Sequence, residues 1–342
     1  MKRMFEDLLT DQHLIQEVLI RLNLIQQNES INLEELAGGV SSTILKVEGK
    51  TRTFCLKQAL PSLKVSKKWR APVERVYAEI AWLQLAQTIV PGCSPQVLGI
   101  DSLTNSFVMP FFSSEEFANW KSELMAGRVA PRFAASVGET IVRIHGGTAH
   151  REEIRRNFSN DKNFLELRLD PYLLEIARQH PNLAAPIGTL VSLTQTRKIA
   201  LIHGDVSPKN ILVGPHGPVF LDAECACYSD PAFDAAFCLN HLLLKSMAIR
   251  NHSTILLEAF DAFANAYLSG VTWEPRAGIE SRIATLLPAL MLARISGKSP
   301  VEYLDMSQRE AVVDITTPLI FRPPTNLQEL KRIWKIGVLT HE

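Results

Sequence analysis

A polar loop between two apolar segments carries the side chains best suited to chemistry. The loop reads HGDVSPKN over residues 203–210, and it places Asp205 and Asn210 five residues apart. A second carboxylate, Asp222, follows Asn210 by twelve residues and ends a predicted strand. Phosphoryl transfer from ATP requires a carboxylate that faces the attacking hydroxyl and oxygen ligands that hold Mg²⁺ on the phosphates. The spacing therefore indicates a site for phosphoryl transfer.

These residues also have a structural interpretation, because Asp and Asn side chains commonly hydrogen-bond their own turn. That interpretation accounts for Asp205 and Asn210 singly, but it does not account for their joint spacing with Asp222. The order H-x-D-x-x-x-x-N, followed by a strand and an aspartate, matches a kinase catalytic loop and its metal-binding aspartate. The candidate catalytic residues of this loop are His203, Asp205 and Lys209.

With these residues the chain resembles the aminoglycoside phosphotransferase and choline kinase superfamily, small-molecule relatives of the protein kinases. The resemblance extends over about residues 33–245, and its specific motif is His-Gly-Asp-x-x-x-x-Asn. It implies a bilobal, protein-kinase-like α+β fold in which Asp205 is the catalytic base or orients the acceptor hydroxyl. By the same resemblance, Asn210 and Asp222 are magnesium ligands and His203 buttresses the loop.

The residues at the metal aspartate depart from the protein-kinase motif D-F-G, since the chain reads Asp222-Ala223-Glu224 there. A D-x-E sequence at this point is similar to that of 5-methylthioribose kinases, in which the glutamate joins the metal site. The catalytic loop of those kinases usually lacks the asparagine present here as Asn210. Glu224 is therefore a third candidate magnesium ligand, bound either directly or through a neighbouring group.

The segment after Asp222 is too short to lay out a polypeptide. Only seven residues separate Asp222 from Asp230, and a helix is predicted to begin directly afterwards. The acceptor is therefore expected to be a small molecule that bears a hydroxyl group. Asp230 and Asp234 resemble a D-P-x-x-D element whose second acid braces the catalytic loop, although an N-cap explains Asp230 equally well.

Nucleotide contacts are expected from the amino-terminal third. The sequence Gly38-Gly39-Val40-Ser41-Ser42 opens a predicted hairpin, where glycines allow the backbone to approach phosphates and serines add donors. Any tight turn uses glycines too. By the family resemblance, Lys57 contacts the α- and β-phosphates and pairs with a glutamate of the next helix. Glu79 is the preferred partner, and Glu74 is the alternative.

The apolar segment 107–112 occupies the position of the hinge between lobes in the family order of motifs. There Met109 and Phe111 are candidate contacts of the adenine ring, with backbone groups at its edge. A buried core strand would have the same sequence pattern. Farther along, Arg294 stands alone in the apolar stretch 287–295, where a cation needs a partner. It either clamps an anionic or polyhydroxylated substrate or, as is more common, pairs with a core carboxylate.

Two groups of elements must position these side chains. Residues 1–112 are expected to form a nucleotide-binding lobe with an amino-terminal helix, a five-stranded type of sheet and one further helix. Residues 113–342 are expected to form a helical lobe with the catalytic loop and the substrate pocket. Periodicity predicts helices at 5–27, 72–87, 133–145, 233–248, 253–268 and 276–295, and strands at 40–47, 51–57, 96–100, 106–112, 199–202 and 218–221.

Composition excludes several other classes of protein. The 342 residues contain 36 Lys and Arg and 36 Asp and Glu, so no global field favours nucleic acid or an anionic membrane. No run approaches the roughly 18 apolar residues of a membrane span, and no signal-peptide pattern is present. A cytoplasmic location is therefore expected. The 5 cysteines form no CxxC pair and are expected to be packed thiols.

These patterns predict a phosphotransferase that uses Mg²⁺ and moves the γ-phosphoryl group of ATP, or alternatively GTP. Its acceptor would be a hydroxyl of a small molecule of the aminoglycoside, choline or methylthioribose type. The alternative hypothesis is a catalytically silent pseudokinase that binds nucleotide or acts as a scaffold. The retained lysine, base and metal residues favour the enzyme.

Overall fold

The computed structural model of the protein describes residues 8–36, 41–62 and 72–341. Two predicted phosphate-binding residues, Gly38 and Gly39, lie outside these ranges. All the other candidate site residues lie inside them.

The first helix, α1 (Gln12–Arg21), is shorter than the helix predicted over 5–27. Asp11 caps its start by accepting hydrogen bonds from the backbone N–H groups of His13 (2.9 Å) and Leu14 (3.2 Å). Asn23 adopts a left-handed conformation (φ 57°), which ends the helix. Apolar periodicity continues past this point in the sequence, and for that reason the predicted helix was too long.

A five-stranded antiparallel sheet forms the body of the amino-terminal lobe. Its strands are β1 (Asn32–Glu35), β2 (Ser42–Glu48), β3 (Thr53–Ala59), β4 (Gly99–Asp101) and β5 (Ser106–Pro110). They lie in the order β1-β2-β3-β5-β4, and β2 and β3 form the predicted hairpin. The short, mostly exposed β1 was not predicted because it has little apolar alternation.

Alternation along β3 decides which side chains reach the interior of the molecule. Phe54 and Leu56 pack into the apolar cluster that contains the buried face of α1. Cys55 and Lys57 point to the opposite face, because successive strand residues alternate. On that face lies α2 (Arg75–Ile89), whose apolar residues join the main core. The side chain of Lys57 therefore points from the sheet towards the second lobe.

Helices dominate the carboxy-terminal lobe. They are α3 (Trp120–Met125), α4 (Pro131–Thr148), α5 (Glu152–Asn157), α6 (Asp161–Phe164), α7 (Glu175–Gln179), α8 (Ala184–Thr196), α9 (Ala232–Ala248), α10 (Ser253–Gly270), α11 (Arg276–Ser296), α12 (Met306–Phe321) and α13 (Leu327–Thr340). A π-helical segment, Leu165–Leu174, joins α6 to α7 and contains Pro171, which has no N–H to donate to a regular helix. Helix α9 is buried almost all round, as a helix at the centre of a lobe must be.

Two small sheets hold the segment that contains the polar loop and Asp222. One pairs β7 (Ala200–Ile202) with β10 (Cys227–Ser229), and the other joins β6 (Ala118–Asn119), β8 (Ile211–Gly214) and β9 (Gly217–Phe220). The polar loop 203–210 connects β7 to β8, and Asp222 follows the end of β9. The strand ends therefore bring the loop and the second carboxylate close together.

Two sequence expectations concern the chain as a whole. All five cysteines are buried free thiols, as predicted. Among the described residues, no helix combines the length and the apolar character that a bilayer crossing requires.

Helices α4 and α10 approach each other closely at a glycine. A Cβ atom added to Gly138 of α4 would lie 2.6 Å from the Phe263 carbonyl oxygen of α10, whereas Gly188 of α8 has open space around it. We expect Gly138→Ala to lower the free energy of unfolding by about 1–3 kcal/mol because backbone must move. Gly188→Ala, the matched control, should raise it by about 0.5–1 kcal/mol through helix propensity. Urea unfolding measures both, and equal effects at the two positions would contradict this explanation.

Candidate active site

The polar loop 203–210 is held in place by a buried carboxylate. Asp234, in the first turn of α9, accepts hydrogen bonds from the backbone N–H groups of His203 (2.7 Å) and Gly204 (2.8 Å). Its Oδ2 also lies 3.2 Å from Nε2 of His145. Gly204 has φ +78°, and a Cβ there would lie 2.7 Å from the carbonyl oxygen of Cys225. Glycine is therefore required at the bend that presents Asp205.

His203 connects the loop to the end of β9. Its Nδ1 accepts a hydrogen bond from the Asp205 N–H (3.2 Å), and its Nε2 donates to the Leu221 carbonyl (3.1 Å). Burial lowers the pKa of His203, against the opposing effect of nearby carboxylates. The ring also packs edge-on against Trp82, with centroids 4.7 Å apart. A neutral, fully bonded imidazole of this kind acts as a positioning residue for the loop.

Asp205 is buried behind two cations. Its Oδ2 accepts a hydrogen bond from Nη2 of Arg168 (2.6 Å) and lies 3.3 Å from Nζ of Lys209, while its Oδ1 has no partner. Burial acts to raise the pKa of Asp205, but the positive charges of Arg168 and Lys209 bring it below its usual range. The carboxylate is thus ionised and keeps one oxygen for a further hydrogen bond.

Arg168 was missed in the sequence analysis, although it is the one cation of the π-helical segment Leu165–Leu174. Its Nε also donates to the carbonyl of Gly204 (2.8 Å). One guanidinium therefore fixes both the bend of the loop and the carboxylate beyond it. The contact joins positions 37 residues apart, which no local spacing reveals.

Asp222 and Asn210 lie on the same side of the loop. Asn210 donates from Nδ2 to the Asp205 carbonyl (3.1 Å), so its amide nitrogen is committed and its amide oxygen remains for another ligand. Asp222 adopts φ +66°, in the left-handed region that residues other than glycine seldom occupy, although Asp and Asn do so more often than most. Burial opposes ionisation of Asp222, but Lys57 and Lys209 lower its pKa below the usual range.

Lys57 joins the two lobes. Its Nζ lies 2.7 Å from Oε1 of Glu79 on α2 and 2.5 Å from Oδ1 of Asp222. Of the two glutamates considered as its partner, the structure brings Glu79 to it. Burial raises the pKa of Glu79, and the attraction of Lys57 offsets this only in part. Burial also disfavours the charged form of Lys57, but Asp222 and Glu79 together raise its pKa.

A cavity of about 270 Å³ lies between the lobes beside these groups. Its volume is near the lower end of the range of about 300–1,000 Å³ that is typical of small-molecule sites. Its walls combine apolar residues of the hinge segment with polar residues of both lobes. Nine of the predicted site residues are among those that line it: Ser41, Ser42, Lys57, Glu79, Met109, Phe111, Lys209, Asn210 and Asp222.

The sequence model of the phosphotransferase enzyme family matches residues 32–279 of the chain. The chain belongs to this family. The matched residues include the polar loop 203–210, Lys57 of β3 and the two carboxylates that pair with Lys57, Glu79 and Asp222.

Individual relatives are distant. Methylthioribose kinase 1 of Oryza sativa subsp. japonica is 23% identical over 252 residues, which cover 66% of this chain and 59% of that protein. The methylthioribose kinase of Yersinia enterocolitica serotype O:8 is 23% identical over 245 residues, covering 63% and 60%. The chain thus matches less than two thirds of the length of these relatives.

A solved structure shows the shared fold. The amicoumacin kinase in complex with AMP-PNP and Ca²⁺ has a TM-score of 0.57 to this chain at 12% identity, covering 94% of this chain and 97% of that one. The predicted bilobal α+β fold of the phosphotransferase family is confirmed.

Three predicted site residues of this phosphotransferase-family protein do not line the cavity. His203 and Asp205 belong to the loop, but their side chains are buried, at 1% exposure each. Glu224 turns to α2, where its Oε2 lies 2.7 Å from Nε of Arg75. Its role as a magnesium ligand stays a prediction.

Arg75 is a further residue that sequence reasoning missed. Its Nη2 donates to the carbonyls of Ser41 and Leu60 (2.9 Å to the latter), and its Nη1 donates to the carbonyl of Pro72 (2.8 Å). The guanidinium therefore ties the start of β2 and the end of β3 to the second lobe. Its position in the first turn of α2 gives no sequence signal of this role.

The brace at Asp234 generates a stability prediction for this phosphotransferase-family fold. Asp234→Asn replaces one acceptor oxygen with an amide nitrogen that faces a backbone N–H. We expect the free energy of unfolding to fall by about 2–3 kcal/mol, because a buried hydrogen bond to a charged group is lost. Urea denaturation measures the loss. Asp314→Asn, at a carboxylate with 65% of its side chain exposed, is the control, and a similarly small effect at both positions would contradict the proposed brace.

Proposed function

We propose that this protein is a Mg²⁺-dependent phosphotransferase that moves the γ-phosphoryl group of ATP onto a hydroxyl group of a small molecule. The observation that carries the proposal is the convergence of Lys57, Asn210 and Asp222 on one cavity between the lobes, with the ionised Asp205 directly behind Lys209. Membership of the phosphotransferase family and the names of its relatives support the same class of reaction.

The cavity offers each part of a nucleotide a fitting partner. Met109 and Phe111 supply apolar surface for the adenine ring at the hinge. Ser41 and Ser42 also line the cavity, and their hydroxyl groups can donate to phosphate oxygens. Lys57 supplies a buried cation, and Glu79 holds its ammonium group in place.

Asn210 and Asp222 fit a magnesium ion that is bound mainly by the nucleotide. Both supply oxygen, the ligand atom that Mg²⁺ prefers, and Asp222 is ionised. The described residues contain no group of three or more His, Cys, Asp or Glu side chains around one point. Two protein ligands suit an ion that keeps phosphate oxygens and waters as its other ligands. When bound, the ion neutralises charge on the phosphates.

In this proposal, Asp205 acts on the acceptor. Its unpartnered Oδ1 accepts a hydrogen bond from the acceptor hydroxyl and takes up its proton as the new bond from oxygen to the γ-phosphorus forms. The bond from that phosphorus to the bridging oxygen breaks, and ADP leaves. Arg168 fixes the direction of the carboxylate, and Lys209 places positive charge between it and the nucleotide cavity. Positioning and fixed charge supply most of the catalysis in such sites.

The acceptor is proposed to be a small molecule because the chain has no platform for a peptide after Asp222. Strand β10 begins at Cys227 and α9 begins at Ala232. Asp230, between them, forms an ion pair with Arg282, in which the arginine Nε lies 2.8 Å from the aspartate Oδ2. This segment is short, buried and committed to the core.

The first test of the proposal is Asp205→Asn. The change keeps an acceptor for Arg168 but removes the charge that receives the proton. We expect turnover to fall by a factor on the order of 10²–10⁴, the usual contribution of general-base catalysis, while the Kd for Mg·ATP stays within about twofold. ATP consumption with a panel of alcohols, sugars and amino alcohols measures the turnover.

Asp261→Asn is the matched control, because Asp261 pairs with Lys331 away from the cavity. Undiminished turnover of the Asp205 variant would refute its assignment. A wild-type protein that binds Mg·ATP but transfers no phosphate to any acceptor would favour the pseudokinase instead.

The second test is Asp222→Asn. Asparagine tolerates the left-handed backbone at this position, so the substitution removes the charge without adding backbone strain. We expect the Kd for Mg·ATP to rise about tenfold or more, equivalent to at least about 1.4 kcal/mol. Binding of ATP in the presence of EDTA should change much less. Calorimetric titration measures both, and an unchanged Kd for Mg·ATP would exclude Asp222 as a metal ligand.

A further inference from the structure

A second, smaller cavity of about 30 Å³ lies on the other side of Lys209 from the nucleotide cavity. Lys209 lines both cavities, and its Nζ lies 3.3 Å from Oδ2 of Asp205. Only the Lys209 side chain therefore separates a group bound in the small cavity from the proposed catalytic carboxylate of Asp205. Eight residues line it: Lys121, Pro208, Lys209, His241, Lys245, Arg294, Glu302 and Tyr303.

Cations outnumber carboxylates in the wall of this cavity. Four of the lining residues are Lys or Arg, and one is acidic. That acid, Glu302, is already paired with Lys121 at 2.5 Å, and Lys209 is next to Asp205. Two cations, Lys245 and Arg294, remain without an ion pair among the described residues.

Lys245 is the less expected of these two cations. It lies in the buried helix α9 with 1% of its surface exposed. Its Nζ is 4.4 Å from the centre of the Tyr303 ring and 3.4 Å from the Tyr303 hydroxyl, neither of which carries a compensating charge. Burial, followed by repulsion from Lys121 and Arg294, lowers the pKa of Lys245 to about 7. A buried cation in this position is costly unless something pairs with it.

Arg294 and His241 add unused donors or acceptors to the same cavity. Arg294 donates to the Tyr172 hydroxyl (3.2 Å) and to Ser299, but its buried Nε has no partner. His241 is 6% exposed, and its buried Nδ1 has no partner either. The core carboxylate that the sequence pattern suggested for Arg294 is absent from its contacts in the described residues. The cavity therefore holds two unpaired cations and two buried nitrogens without a hydrogen bond.

We propose that the small cavity binds an anionic group of the phosphate acceptor, between Lys245 and Arg294, while the acceptor hydroxyl lies at Asp205. The inference rests on the proposed function and narrows it to hydroxylated carboxylates or phosphate esters. A volume of about 30 Å³ holds roughly two water-sized groups, which suits the two oxygens of a carboxylate or the end of a phosphate. The transferred phosphoryl group goes to the hydroxyl, and the anionic group is unchanged.

The test compares three probes that differ only at one end: 4-hydroxybutyrate, 4-hydroxybutyramide and 4-amino-1-butanol. Inorganic phosphate serves as the probe for the phosphate-ester alternative. Calorimetric titration of the full chain with Mg·ADP present measures each Kd. We expect 4-hydroxybutyrate or phosphate to bind at least about tenfold more tightly than the amide and the amine, and the tighter of the two identifies the anion. Equal affinities, or no saturable binding of either anion, would overturn the proposal.

Lys245→Met should weaken binding of the favoured anion at least about tenfold. The neutral side chain fills a similar volume, so the melting temperature should stay the same or rise once the unpaired charge is gone. Lys331→Met is the matched control, since Lys331 pairs with Asp261 on another face. Arg294→Gln is the second variant and should also weaken the anion, even if Lys245→Met folds poorly. Anion binding that is unchanged in both Lys245→Met and Arg294→Gln would refute the site.

The outcome also separates this inference from the function on which it rests. Phosphorylation of neutral or cationic acceptors, without anion binding, would overturn the anionic pocket and leave the phosphotransferase assignment intact. Loss of Mg·ATP binding by the wild-type protein would instead remove the proposed function itself.

Discussion

One buried ammonium group, that of Lys57, forms ion pairs with carboxylates of both lobes and fixes their relative position at this contact. Lys57 leaves the sheet on the face opposite α1 and meets Glu79 of α2 and Asp222 of the second lobe, at 2.7 and 2.5 Å. Removing either carboxylate would leave an incompletely paired charge in a buried site, which is costly. Lys57, Glu79 and Asp222 all line the cavity between the lobes. The shape of this part of its wall therefore depends on ion pairs as well as on apolar packing.

Charge pairing also organises the second lobe. Asp205 is matched by Arg168 and Lys209, and Asp234 is matched by backbone donors at the bend of the loop. Against this background Lys245 and Arg294 stand out, because neither has an ion pair among the described residues. The missing counter-charges support the proposal that an anionic group binds between them.

Much of the site was predictable because it is encoded locally. Asp205, Asn210 and Asp222 are near one another in sequence, and the short strands that flank them keep them close together in the structure. Strand alternation turns the Lys57 side chain towards the interior of the molecule. The roles of Arg168 and Arg75 were not predictable, since each depends on contacts with residues far away in sequence. The predicted length of α1 was wrong because Asn23 adopts a left-handed conformation and ends the helix. The spacing of apolar residues carries no information about that conformation.

The contact between Arg75 and Glu224 has a mechanical consequence. The same guanidinium holds backbone carbonyls at both ends of the β2–β3 hairpin region and a carboxylate across the cleft. Separating the two lobes would break this buried ion pair, and breaking a buried pair is costly. Opening of the cleft therefore requires Arg75 to part from Glu224, in addition to Lys57 from Asp222.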